Sequence, residues 1–92
     1  MIKSFGCPDA EALFHGIRVR RWQLIERVVL RKLAALHRAA SLDDLRSPPG
    51  NRLKPLHGSR NGQHSIWVND QFRICFVWYD SHAHDVTLVD YH

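Results

Sequence analysis

Phe72, Ile74, Phe76 and Trp78 alternate through an apolar run in which a single cation, Arg73, intervenes. Burying a guanidinium without a partner costs several kcal/mol, roughly, so Arg73 must face a cleft, a binding partner or a structural ion pair, for which Asp90 is the candidate. The second group is Asp90-Tyr91-His92 at the end of the sequence. Packing does not require a carboxylate, a phenol and an imidazole in succession. His92 can give or take a proton near neutral pH, Asp90 can orient or activate a hydroxyl, and Tyr91 can stack on a base. The plainer alternative is a frayed polar terminus. The third group is the basic stretch 52–60, in which Pro55 and Gly58 restrict the loop and Lys54, His57 and Arg60 supply donors suited to phosphate. Taken singly, such a loop is an ordinary solvated surface. Convergence of the three groups across one sheet would make a site for a polyanion.

Seven histidines raise the possibility of a metal. His82, His84 and Asp85, or His57 and His64, have neither the spacing of a structural Cys/His site nor that of a helical His-Glu-x-x-His motif, so no metal and no cofactor is expected. There is no glycine-rich phosphate loop and no Gly-x-Ser-x-Gly elbow.

The elements that must position these residues follow from periodicity. Residues 1–5 read as an edge strand closed by Gly6 and Pro8. A short helix is predicted over 8–15, with Asp9 able to cap it and Gly16 beyond its end. Trp22, Ile25, Val29, Leu33 and Leu36 step by three and four, which predicts a helix over 21–38 with Arg27, Arg31 and Arg38 on another face. Ser41 followed by Asp43 and Asp44 predicts a brief helix to Leu45, ended by Pro48, Pro49 and Gly50. Beyond Leu53 the period becomes two. His64, Ile66 and Val68 alternate with Ser65, Trp67 and Asn69; the Phe72 run follows; a last strand is expected over 85–91. Asn69-Asp70-Gln71 and Asp80-Ser81-His82 supply turns of hairpin length. Helices in the first half and an antiparallel meander in the second make an α+β layer fold, with the long helix covering one sheet face.

At 92 residues the chain is expected to form one domain, 1–92, since two cores would each bury too little surface. Thirteen Lys+Arg against nine Asp+Glu give a net charge of +4, which favours a polyanionic partner through steering and counterion release. Cys7 and Cys75 lie far apart, no signal-type apolar segment follows Met1, and no long apolar run is present, so a cytoplasmic protein with reduced, buried thiols and no membrane association is expected.

The run from Leu56 through His57-Gly58-Ser59-Arg60, Gly62-Gln63-His64-Ser65-Ile66 and Val68-Asn69-Asp70-Gln71-Phe72-Arg73-Ile74-Cys75-Phe76, together with the closing Val89-Asp90-Tyr91-His92 and the opening Met1-Ile2-Lys3-Ser4-Phe5, resembles the HigB, or plasmid killer, branch of the RelE-like toxins. That resemblance implies a compact α+β microbial-ribonuclease fold with its site on a concave sheet face. It implies an endoribonuclease that needs no metal, enters the A site of the small (30S) ribosomal subunit and cuts mRNA there by 2′-hydroxyl attack, leaving a 2′,3′-cyclic phosphate. Arg73 would then stabilise phosphate charge, Tyr91 would position a base, and Asp90 and His92 would share proton transfer, either serving as the base. Lys54, His57 and Arg60 would bind phosphate. The implied partner is a HigA-like helix-turn-helix antitoxin, with operator DNA reached only through that complex.

Two positions depart from the family pattern. His57 stands where a lysine is common, and it donates to phosphate fully only when protonated. Trp67 stands where a basic residue is common, which removes a possible RNA contact or adds a stacking surface; the plainer alternative is packing against a helix. The alternative from another class is a catalytically weak or inactive RelE/ParE-like binder acting through antitoxin pairing and operon regulation.

Overall fold

The computed structural model describes residues 1–90. Helix α1 spans Pro8–Phe14 and helix α2 spans Glu26–Arg38. Strands β1 (Lys54–Pro55), β2 (Gln63–Trp67), β3 (Phe72–Tyr79) and β4 (His82–Asp90) form an antiparallel sheet in sequential order. The expected α+β layering is therefore present, with β1 as an added edge. Pro55 in a two-residue strand and the charged Lys54 beside it give no alternating signal from which β1 could be read.

Phe76, Ile66, Ile74 and Val86 from the sheet meet Leu13, Val29, Leu33 and Leu36 from the helices in one buried cluster. The stripe along α2 does what its spacing requires, while Arg27, Arg31 and Arg38 stay exposed. The helix itself begins later than periodicity suggests. Arg20–Trp22 is a 3-10 turn, and α2 starts only at Glu26. Trp22 accounts for the break: its indole Nε1 donates to Asp9 Oδ2 at 2.6 Å, and its ring meets Phe72 edge-on at 4.9 Å. A step of three from Trp22 to Ile25 fits a 3-10 turn as well as an α-helix, so spacing alone did not distinguish them. Asp9, expected to cap α1, is instead committed to this indole; Cys7 occupies the N-cap without a side-chain bond. The brief helix expected after Ser41 is the 3-10 turn Leu42–Arg46, with Ser41 at its N-cap as expected and with Asp44 completing a reciprocal capping box.

Residues 1–5 run parallel to β4 but form no continuous ladder with it: they pair at two isolated bridges, Ile2 opposite Ala83 and Phe5 opposite Val86, and Ser4 Oγ accepts the Asp85 N–H at 2.9 Å. The expected edge strand is interrupted because β4 itself is irregular. Between β3 and β4 the pairing shifts from Cys75–Thr87 to Val77–His84, and Asp85 takes a φ of 52°. The extra residue lets Ala83 and Val86, three apart, both turn into the core, where each is fully buried. The last strand accordingly starts at His82 rather than 85, after a turn in which Asp80 and Ser81 both have positive φ (52° and 63°). Cys75 is buried as expected, whereas Cys7 is only half-buried.

Candidate nucleic-acid interface

Strand alternation divides the sheet into two chemically different faces. Ile66, Ile74 and Leu88 share a register line and face the helices. The far face carries the line Lys54–Ser65–Cys75–Thr87 and, next to it, Trp67–Arg73–Val89. Lys54 and Arg73, two of the cations singled out from sequence, therefore emerge on the same side of neighbouring register lines.

Arg73 is held from the hairpin that precedes it. Asn69 Oδ1 accepts the backbone N–H groups of Gln71 (2.9 Å) and Phe72 (2.8 Å), which closes the turn. The Asn69 carbonyl in turn accepts a hydrogen bond from Arg73 Nη1 at 3.2 Å. One residue thus shapes the loop and orients the guanidinium. Arg60 reaches the same face from the 3-10 turn Gly58–Arg60, where it donates to Gln63 Oε1 at 3.2 Å. Gln63 shares the alternation of Ser65 and Trp67, which places Arg60 on the far face too. The positive charge of both guanidiniums favours ionisation of the Cys75 thiol on that face. Burial nevertheless dominates and pushes that thiol up from its ordinary value, with Arg60 and Arg73 pulling the other way, so Cys75 stays a protonated floor residue and not a nucleophile.

His57 is exposed and lines a shallow groove with Lys54, Pro55 and Leu56, so the phosphate-binding candidates Lys54 and His57 adjoin one another. Asp90 pairs in register with Phe72, one step from the Arg73–Val89 pair. It is exposed and accepts from Gln71 Nε2 at 3.3 Å. By alternation it belongs to the face opposite Arg73 but to the same end of the sheet. Tyr91 and His92, the other two residues of the terminal group, lie outside the described residues.

The far face also holds a residue that sequence reading left without a role. The Arg52 guanidinium carbon stands 4.3 Å from the centroid of the Trp67 ring. Trp67 is half-buried and lies outside the core cluster, with the Arg52 side chain over its ring. Arg52 has a left-handed φ of 46° after the 3-10 turn Pro49–Asn51, a conformation that no local sequence signal announced. The third unanticipated feature lies behind the loop. Lys32, on α2, is buried and donates to Asn51 Oδ1 at 2.5 Å, while Asn51 Nδ2 donates to the carbonyls of Leu45 (3.1 Å) and Ser47 (3.3 Å). Burial first, and the neighbouring Arg31 second, hold the Lys32 ammonium below its ordinary pKa. This buried knot anchors the segment that delivers Arg52 and Lys54.

Among the described residues, no group of three or more His, Cys, Asp and Glu is arranged to hold a metal ion, and no helix is long and apolar enough to cross a membrane.

Comparison with known proteins identifies the family. A family model described as a RelE-like toxin of type II toxin-antitoxin system HigB matches residues 16–92. Toxin HigB-1 of Vibrio cholerae serotype O1 is 48% identical over 59 residues, covering 64% of this chain and 62% of the relative. An uncharacterized protein of Haemophilus influenzae is 34% identical over 62 residues, covering 67% of this chain and 61% of the relative. The chain thus spans about three fifths of the length of the curated relatives it matches. Among solved structures, a chain of the YoeB-YefM complex from Staphylococcus aureus superposes with a TM-score of 0.61 at 14% identity, covering 100% of this chain and 98% of that one, which speaks to the fold. With the family model extending across both the basic loop and the Arg73 strand, the chain belongs to the HigB group of RelE-like toxins of type II toxin-antitoxin systems.

Proposed function

We propose that this protein is a ribosome-dependent endoribonuclease that cuts mRNA in the A site and so arrests translation and growth. The observation that carries the reading is the gathering of Lys54, Arg60 and Arg73 on the sheet face turned away from the helices, in a member of a toxin family. A phosphodiester can be cleaved there without redox chemistry. The 2′-oxygen attacks the adjacent phosphorus as its proton passes to a base; the bond from phosphorus to the 5′-oxygen breaks, and that oxygen takes a proton from an acid. The products are a 2′,3′-cyclic phosphate and a 5′-hydroxyl end.

In this scheme Arg73 neutralises charge that builds on the phosphate oxygens in the transition state, with its fork aimed by the Asn69 carbonyl. Lys54, His57 and Arg60 hold flanking phosphates, His57 contributing a full charge only in its protonated form. His92 and Asp90 divide the proton transfers, Asp90 reaching the phosphate from the shared end of the sheet, since its strand position faces away from Arg73, and Tyr91 positions a base. The protein acts as one cytoplasmic domain, 1–92, and is silenced by a HigA-like helix-turn-helix antitoxin, through which it reaches operator DNA. That its fold neighbour was solved in a complex agrees with such pairing.

The test is inducible expression in bacteria of the wild type, Arg73→Ala and a His92 deletion, with growth followed and messenger 5′ ends mapped. Arrest with new cleavages inside reading frames, lost in both variants, is expected. Normal growth with folded, well-expressed wild type would favour the second reading, an inactive or weak binder acting through its antitoxin, to which the His57 and Trp67 departures give a physical basis.

A further inference from the structure

We infer that Arg52 and Trp67 together form a stacking platform for one unpaired RNA base beside Arg73, an inference that rests on the ribonuclease reading. Trp67 and Arg73 are directly opposed in register, so a phosphate held by Arg73 leaves its adjoining nucleotide within reach of the indole. The Arg52 guanidinium lies over that indole at 4.3 Å, and Arg52 is exposed, so a nucleotide can approach the stacked pair from solvent. A guanidinium fixed over an aromatic ring is a flat, charged surface on which any base can stack, with attraction to phosphate as an added contribution. Its position is set on both sides: Trp67 by the β2–β3 ladder, and Arg52 by the Lys32–Asn51 knot one residue before it.

Chemistry separates this platform from the other aromatic surfaces of the chain. Trp22 is spent on Asp9 and Phe72 inside the fold. Trp78 packs against the core beside Phe76. Trp67 alone of the three tryptophans shares a face with Lys54 and Arg73. A base of either size would be accepted, because stacking has no hydrogen-bond code; the pair fixes where the strand lies and not which sequence is cut.

The experiment uses the intact protein and a 2′-O-methyl RNA hexanucleotide, which has no free 2′-hydroxyl and cannot be cleaved. Tryptophan fluorescence and the indole N–H resonances are followed as the oligonucleotide is added. Quenching and a resonance shift assigned to Trp67, with Trp22 unmoved, are expected. Trp67→Leu and Arg52→Gln should each weaken binding by about fivefold or more, the lower end of what one stacked base contributes, and Trp67→Phe should retain most of it. Trp67 Nε1 has no hydrogen-bond partner among the described residues, so exchanging the indole for a phenyl ring sacrifices no such bond, and an unchanged thermal melt confirms the fold. Binding that is lost in Lys54→Ala but unaffected by Trp67→Leu and Arg52→Gln would overturn the platform while leaving the ribonuclease reading intact. Absence of any Trp67 response up to millimolar oligonucleotide would also overturn it. The ribonuclease reading is judged separately, by cleavage mapping in cells.

Discussion

Trp67 on β2 and Arg73 on β3 stand opposite each other on the sheet face that the helices do not cover. The pairing places a cation and an aromatic ring side by side on a rigid ladder, and the Asn69 carbonyl fixes the cation's direction. If that guanidinium meets the scissile phosphate, its planar fork matters as much as its charge. Arg73→Ala is expected to lower messenger cleavage in a translation extract by about a hundredfold or more, the scale set by removing one preorganised charge-stabilising donor. Arg73→Lys should recover only part of it, and antitoxin binding should change little in either. Wild-type cleavage by Arg73→Ala would move the reaction away from this face.

How far the sequence discloses this arrangement depends on the range of the interactions involved. Local periodicity is enough to place the α2 stripe and the hairpin strands, because burial of one face imposes spacings of three to four or of two. The capping box of Ser41 and Asp44 is equally local. Trp22 marks the limit: its spacing belongs to the α2 stripe, yet its bond to Asp9, thirteen positions away, holds it in a separate 3-10 turn. Arg52 over Trp67 and Lys32 beneath Asn51 join residues fifteen and nineteen positions apart with no periodic signature. The candidate site divides in the same way. Arg73 betrays itself as a charge in an apolar strand, whereas the partner that aims it and the cation that caps its neighbour emerge only from the folded chain.

The Lys32–Asn51 knot should be costly to break from one side. In Asn51→Ala the buried ammonium loses its acceptor and the Leu45 and Ser47 carbonyls lose their donor, a change expected to cost about 2–4 kcal/mol. For a chain of this size that corresponds to a fall in melting temperature of roughly 10–20 °C. Lys32→Met removes the charge together with its need for a partner and should cost clearly less. Calorimetry on the two variants decides the point; equal losses would show that the loop depends on packing and not on charge satisfaction.

Acid should weaken the fold partly through His64. Burial, and to a lesser degree the positive charge of Arg46, hold its imidazole below the ordinary value of 6.5, and its Nδ1 has no hydrogen-bond partner among the described residues. The folded state then binds fewer protons than the unfolded chain as pH falls below 6.5, so stability rises with pH across that window and is lost on the way down. His82 is shifted in the same direction, by burial first and by Lys3 next. His64→Phe keeps a ring against Phe76, which the imidazole now stacks at 6.3 Å, but removes one titration. Urea unfolding at pH 7 and pH 5 should show a smaller stability difference in His64→Phe than in the wild type. An identical difference would assign the acid sensitivity to other groups.

Gly6 sits where the first residues of the chain cross the bulge of β4. Its N–H donates to the Val86 carbonyl at 2.8 Å, which brings its α-carbon against the strand. A β-carbon there would fall 2.4 Å from Thr87 Oγ1 and 3.0 Å from the Asp85 carbonyl oxygen. The hydroxyl cannot move freely, because it donates to that same carbonyl at 2.9 Å. Gly6→Ala should therefore destabilise by about 1–3 kcal/mol, the usual cost of forcing one extra carbon into a packed contact. Thr87→Ala takes away the nearer obstacle but leaves the carbonyl. In a double-mutant cycle the paired variant should lose less than the sum of the two single losses, by about 0.5 kcal/mol or more. Additive losses would mean that the Asp85 carbonyl alone limits the approach, and that the glycine is required by the backbone of the bulge and not by its side chains.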